Sequence, residues 1–321
     1  METISLWMIV GFLFAAYSVI GNDSIQTLGT FIASNRKTKW YYLWMYTAAI
    51  LVAVIAYSYF TNGGDISSGR LQEIPFIDIQ WYHAMAPLGL VILTRFGIPV
   101  STSLLVLSAF ASSLVFEKIL IKSALGYGIA AVVAYALWVL IHKWDNKNNP
   151  VPASREKRWR VLQWCATGFL WYTWLSHDIA NIAVFLPRSL SLGMLAFVLA
   201  VFVFGLGYIF KSQGGRIQKI VLEKSHTSYI RSATIIDLCY ALILLVFKSW
   251  SSIPMSTTWV FIGLLSGREL AISTMMGKNY SFKDVFPLVG KDMLRLIFGL
   301  GVSILIALSI QNVDVIQEFF A

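Results

Sequence analysis

Charge is what this sequence has least of. Only 13% of its 321 residues are Asp, Glu, Lys or Arg, and 57% are hydrophobic. Soluble domains carry about 25% charged and 45–50% apolar residues, so a water-soluble fold of this length lacks the polar surface it needs. Cysteine is nearly missing as well. Cys165 and Cys239 both fall in apolar stretches, which argues against a disulfide framework or a thiolate metal site and leaves two buried structural thiols. No Walker-type phosphate loop and no zinc motif occurs, which removes ATP-driven pumping by this chain alone. Met1-Glu2-Thr3 has no basic character, and no small-residue cleavage site follows the first apolar run, so a retained N-terminus is expected. The formal charge of +9 lies in loops, so nucleic acid is not an expected partner.

What is present is long apolar sequence. Residues 40–60 and 189–210 contain no charged residue, and a helix needs roughly 20 such residues to cross the hydrocarbon core. The chain reads as an all-α polytopic membrane protein with ten hydrophobic segments: A (5–34, with a polar interruption near Gly21), B (40–60), C (84–94), D (97–116), E (120–141), F (161–187, interrupted near Ser176), G (189–210), H (233–249), I (252–271) and J (294–310). Segment C is short, which leaves C and D open as a re-entrant hairpin or two crossings, and the same holds for H and I.

Loop charge sets the topology. The A–B loop holds Arg36, Lys37 and Lys39. The E–F loop holds Lys143, Lys147, Arg155, Lys157, Arg158 and Arg160 against Asp145 and Glu156, and the G–H loop holds Lys211, Arg216, Lys219, Lys224 and Arg231 against Glu223; each is +4 net. The B–C loop, with Asp65, Arg70, Glu73 and Asp78, is −2 net. Basic loops stay cytoplasmic. This puts A–B, E–F, G–H and the I–J loop (Lys278, Lys283, Lys291) inside, B–C outside, and both termini outside, in the plasma membrane. The 211–231 stretch reads as a solvated loop or interfacial helix rather than a specific lipid site.

An internal repeat is the strongest signal. Asn22-Asp23 recurs as His177-Asp178, and Gln26 as Asn181. Ile98-Pro99-Val100-Ser101-Thr102-Ser103 recurs as Ile253-Pro254-Met255-Ser256-Thr257-Thr258. One spacing of 155 residues serves both pairs. Residues 1–145 then form one repeat and 161–321 a second, joined by a basic cytoplasmic linker at 146–160. Five segments per unit is an odd number, so the copies are inverted, a common plan around a midplane site in secondary transporters.

Each motif has its own chemistry. An aspartate at the centre of a membrane helix costs roughly 2.5–3.5 kcal/mol on insertion scales and usually faces a cavity, partner or ion. Asp23 with Gln26, and Asp178 with Asn181, are three apart and share a helix face. Their carboxylate and amide oxygens are hard ligands suited to a cation such as Na+; the plainer alternative is a helix cap. Pro99 and Pro254 suit a first helical turn, and the hydroxyls after them, Ser101, Thr102, Ser103, Ser256, Thr257 and Thr258, meet helix N-termini that favour anions. Packing and capping residues are the alternative there, and duplication beside an intramembrane aspartate favours an anion site.

These residues resemble the inorganic phosphate transporter (PiT) family, whose repeats carry a G-A-N-D-V-A-N-A-F-G-T-type and a P-[IV]-S-[ST]-T-type motif. Gly21-Asn22-Asp23-Ser24-Ile25-Gln26-Thr27-Leu28-Gly29-Thr30 and Leu175-Ser176-His177-Asp178-Ile179-Ala180-Asn181 are similar to the first; Pro99-Val100-Ser101-Thr102-Ser103 and Pro254-Met255-Ser256-Thr257-Thr258 are similar to the second. The resemblance implies uptake of inorganic phosphate coupled to Na+ or H+, alternating access and a homodimer. It places Asn22, Asp23, His177 and Asp178 at cation sites, and Gln26, Asn181 and the Ser/Thr runs on the anion. Some relatives carry sulfate. The chain departs from the family at Gln26 and His177, where Asn is usual. An imidazole is a poorer Na+ ligand and titrates near neutral pH, which raises proton coupling as an alternative, beside a purely structural histidine.

Phosphate carries a proton to donate and sulfate at neutral pH does not, so a buried carboxylate facing the anion favours phosphate unless a cation occupies it. Three functions stand at this stage: a cation-coupled phosphate transporter, a sulfate or other oxyanion permease of the same fold, and an intramembrane enzyme. Ser176-His177-Asp178 has triad residue types, but triads are set by spatial geometry. Among other ionisable residues, Arg95 is expected to snorkel and Arg188 to sit in a loop. Asp237, Arg268 and Glu269 are expected to be salt-bridged or interfacial. His83, His142 and His226 fall in predicted loops.

Overall fold

The computed structural model describes residues 4–96, 100–141, 151–214, 218, 230–276 and 282–313. Pro99, His142, Lys143, Asp145, Lys147, Arg216, Lys219, Glu223, Lys224, His226 and Lys278 lie outside the described residues, as do residues 146–150 of the expected linker. All regular structure among the described residues is helical.

Segment A is one rod. Ser5 caps it by accepting from Met8 N at 3.2 Å. α1 (Leu6–Ser18) passes through a π-helical turn (Val19–Asp23) into α2 (Ser24–Ser34). The polar residues near Gly21 therefore widen the helix rather than break it, and such single π turns are frequent at functional sites. α3 (Trp40–Thr61) is segment B, α4 (Met85–Arg95) is C, and D shrinks to α5 (Thr102–Val106) plus a 3-10 turn (Leu107–Ala109). α6 (Ser113–Ile141) takes the rest of D with E. α7 (Ala153–Asp178) begins eight residues before segment F was expected, so residues 153–160 are helix and not linker. After Ile179 comes the single turn α8 (Ala180–Ala183), then α9 (Leu192–Lys211), α10 (Ile230–Trp250), α11 (Thr257–Met276) and α12 (Phe282–Gln311).

The two halves run against each other. Asn35 at the end of α2 donates to Gln163 Oε1 near the start of α7 at 2.9 Å, while Gly11 in α1 packs on Phe185 beyond α8. α3 and α9 are antiparallel too: Trp44 Nε1 donates to Val203 O at 2.8 Å, and Leu190 N to Gly64 O at 3.1 Å. Three basic loops meet at one end. Arg160 donates to Asn35 Oδ1 at 2.9 Å, and a cavity of about 520 Å³ is lined by Arg36, Lys37, Lys39 and Lys211. The 62–80 loop lies at the other end, where Arg188 donates to Ile74 O at 3.1 Å.

Both hairpins enter and leave at one end. α4 follows the 62–80 loop, and α5 returns to the start of α6, where Lys118 pairs with Glu73 of that loop at 3.3 Å. At 11 residues, α4 is only about 16 Å long. In the second half α10 starts beside α7, with Arg231 over Trp159, and α11 runs back beside the far part of α6, with Arg268 over Trp138. These legs are long, 21 and 20 residues, but the contacts return the chain to the end it left.

Six helices among the described residues are long and apolar enough to cross a membrane. The outward face is apolar: Leu140 is 78% exposed and Phe204 76%. Such a surface belongs to a multi-pass membrane protein. Cys165, expected to be buried, is exposed, and Cys239 is buried.

α6 and α11 run in parallel at glycine-set distance. A Cβ at Gly263 would collide with Tyr127 O, and one at Gly267 with Ala131 O, the small-residue seam by which membrane helices approach closely. Gly267→Ala is expected to destabilise by about 1–3 kcal/mol, the usual range for overpacking, read as a lower melting temperature in detergent. An unchanged melting temperature would refute this close approach.

Candidate functional site

The π turn and the two hairpin tips bring all four motifs together. Every residue picked from the sequence, Asn22, Asp23, Gln26, Ser101, Thr102, Ser103, His177, Asp178, Asn181, Ser256, Thr257 and Thr258, is at most 5% exposed. Asp23 sits in the π turn and Asp178 ends α7.

The contacts follow a twofold pattern. Asp23 accepts from Thr102 Oγ1 of its own half, in a short bond, and from Thr258 Oγ1 of the other half at 3.5 Å. Asp178 accepts from Thr257 Oγ1 of its own half at 2.6 Å and from Ser103 Oγ of the other half at 3.4 Å. Thr102 and Thr257 are one repeat apart, and so are Ser103 and Thr258. An amide completes each carboxylate: Asn22 Nδ2 donates to Asp23 at 2.7 Å and Asn181 Nδ2 to Asp178 at 2.8 Å. Hydrogen bonds to the charged form are the stronger kind.

The remaining hydroxyls divide by role. Ser101 Oγ accepts from Leu104 N, and Ser256 Oγ from Trp259 N, both at 3.1 Å. These two serines cap α5 and α11, which the sequence had grouped with the anion-holding hydroxyls. The single proton of Ser103 is shared with Met255 O, the nearer acceptor at 3.0 Å, which ties one hairpin tip to the other.

The halves part at Asn22 and His177. Asn22 bridges Asp23, Val100 O (3.1 Å) and the Gln26 amide, which donates to its oxygen at 3.0 Å. His177 turns the other way, to Leu244 O at 2.8 Å. A carbonyl only accepts, so Nε2 carries the proton and Nδ1 is bare. His177 Nδ1 and Asn181 Oδ1 are buried without a partner among the described residues. The second half thus holds two unused acceptors, either of which can ligate a cation or take a proton. Ser176-His177-Asp178 forms no relay, because Ser176 donates to Tyr172 O at 2.9 Å and His177 to Leu244 O.

Three buried ionisable residues escaped sequence reading. Asp237 was expected to be salt-bridged or interfacial. It is fully buried and accepts from Thr30 and Thr167, each at 2.5 Å, so it joins α2, α7 and α10. Arg70 and Lys122 are 3% and 7% exposed. Arg70 was legible only as one cation of a polar loop, and Lys122 only as an interruption of segment E; the lone charge in that apolar run was the available signal. Arg268 does pair with Glu269, at 2.8 Å. His83 is buried in a 3-10 turn and stacks on Phe110, rather than lying in an open loop.

No family model matches the chain, and no curated protein matches its sequence. Among solved structures it is similar to one described as the sodium-dependent phosphate transporter, with 16% sequence identity and a TM-score of 0.63 over 97% of this chain and 98% of that one. Over nearly all of its length, the chain shares the fold of that transporter.

Proposed function

We propose that this protein is a secondary transporter of inorganic phosphate, working by alternating access between two inverted repeats and coupled to Na+ or H+. The observation that carries this reading is the paired carboxylate site, in which each aspartate is held by a threonine of its own repeat and approached by a hydroxyl of the other. A site built across two repeats opens to either side as the repeats move against each other. Its burial is that of a closed state. The basic end is the cytoplasmic one in this reading, both hairpins are re-entrant, both termini face outward, and the protein works in the plasma membrane as a homodimer.

Roles follow from the contacts. Asp23, Asn22 and Asp178 with the bare acceptors of Asn181 and His177 hold the cation. Thr102 and Thr257 fix the carboxylates. Ser103 and Thr258, whose bonds to the aspartates are long, are the hydroxyls that turn to the anion. Gln26 positions Asn22. An aspartate acceptor position that the coupling cation does not take can accept a phosphate O–H, which sulfate at neutral pH lacks. The name of the structurally similar protein supports phosphate as cargo.

The test is uptake of labelled phosphate into proteoliposomes under separate Na+ and H+ gradients, with sulfate as competitor. Uptake driven by one gradient and resistant to sulfate is expected; sulfate uptake without phosphate uptake would select the sulfate permease. His177→Asn places a second amide oxygen beside Asp178 and is expected to raise the Na+ dependence of uptake several-fold, on the order of 1 kcal/mol. Unchanged coupling would remove His177 from the cation site.

A further inference from the structure

Arg70 and Lys122 are buried cations that meet on one carbonyl. Arg70 Nη1 donates to Ser251 O at 2.6 Å and Lys122 Nζ to the same oxygen at 3.1 Å; Lys122 also donates to Ile253 O at 2.6 Å. Arg70 Nε reaches Ser176 O, two residues from Asp178, at 3.3 Å. Neither cation has a carboxylate at salt-bridge distance among the described residues. The other terminal nitrogen of Arg70 is buried and has no partner among them. Burial lowers the Arg70 pKa to about 10 against the pull of Asp178, so the guanidinium stays charged at neutral pH.

One role is plain. Ser251 follows the last residue of α10, and cations favour the carbonyl end of a helix. The bonds also hold the chain just ahead of Thr257. Capping alone, however, needs only neutral donors. It leaves unexplained why two basic side chains are kept in an apolar setting where isolated ions are costly, and why a donor is left unused. The charge of the site supplies the reason. An oxyanion entering beside two buried aspartates would gather negative charge in one closed space, and a positive group nearby would offset part of it.

We propose that Arg70, with Lys122 beside it on the same carbonyl, forms the positive pole of the oxyanion site, attracting the tetrahedral anion to the second hairpin tip and offsetting its charge once the site closes. This rests on the oxyanion reading given above.

The experiment compares the parent with Arg70→Gln, Lys122→Gln, Arg70→Lys and Lys122→Arg in proteoliposomes, for phosphate and for sulfate, with melting temperature as the folding check. Each neutral variant is expected to raise KM for the carried oxyanion at least about tenfold, the effect of 1.4 kcal/mol, with a smaller change in maximal rate. The charge-keeping variants are expected to recover most of that affinity. Folded neutral variants with parental KM and a reduced maximal rate would reduce the pair to a structural clamp and overturn the proposal. If Arg70→Gln does not fold, Lys122→Gln decides by the same criterion. A parent that carries neither anion would instead overturn the oxyanion reading and this inference with it.

Discussion

Asp178→Asn is expected to cut phosphate uptake at least about 100-fold, and Asp23→Asn by a similar factor. Asparagine keeps the size of the side chain but removes the charge that a coupling cation needs. It also places an NH2 group where a hydroxyl now donates. Each aspartate accepts one close threonine bond and one close amide bond. Hydrogen bonds to charged groups contribute roughly 1.5–3 kcal/mol each, so losing two exceeds the 2.7 kcal/mol that corresponds to about 100-fold. The equality of the two effects is the sharper part of the expectation, because it follows from the twofold contact pattern. Initial uptake rates on protein that melts like the parent are the measurement. A folded variant of either aspartate that retains a tenth of parental uptake would refute the paired site.

Thr102→Val and Thr257→Val are expected to lower uptake about 10–100-fold each. Valine is close to threonine in shape, so packing is kept while one donor to a buried carboxylate is lost, again roughly 1.5–3 kcal/mol. Ser103→Ala and Thr258→Val should behave differently. Their bonds to the aspartates are 3.4 and 3.5 Å, long for an O–H donor, so their removal is expected to raise KM for phosphate rather than disturb the carboxylates. Apparent affinities for phosphate and for the coupling ion, measured separately, distinguish the two pairs. Equal effects of all four substitutions on both affinities would refute the division of labour.

How much of this was visible beforehand depends on the range of the interaction. Apolar run length is a local property, and it located A, B and G to within a few residues, while the starts of E, F and J and both ends of I were displaced by five residues or more. The repeat was visible because one spacing linked two unlike motifs. Gly21 shows where local reading stops: a glycine among polar residues signals an interruption, but only the helix path shows a widened turn in place of a break. Arg70 and Asp237 misled for a related reason. A cation in a polar loop and an aspartate near a segment end both read as surface charge, and their burial arises from loop fold-back and three-helix packing.

The sequence by itself determined that this is a helical membrane protein, and it set an aspartate motif and a hydroxyl-rich motif twice along the chain at one spacing of 155 residues, since composition, run length and spacing are local or linear properties. The tertiary structure decided which hydroxyl serves which carboxylate, that Ser101 and Ser256 are caps, that His177 faces Leu244 while Asn22 faces Asp23, and that two cations stand behind the second hairpin tip. Thr258 meets Asp23 across 235 positions of chain, and no local pattern encodes a contact of that span; it exists only once two oppositely directed halves are packed against each other.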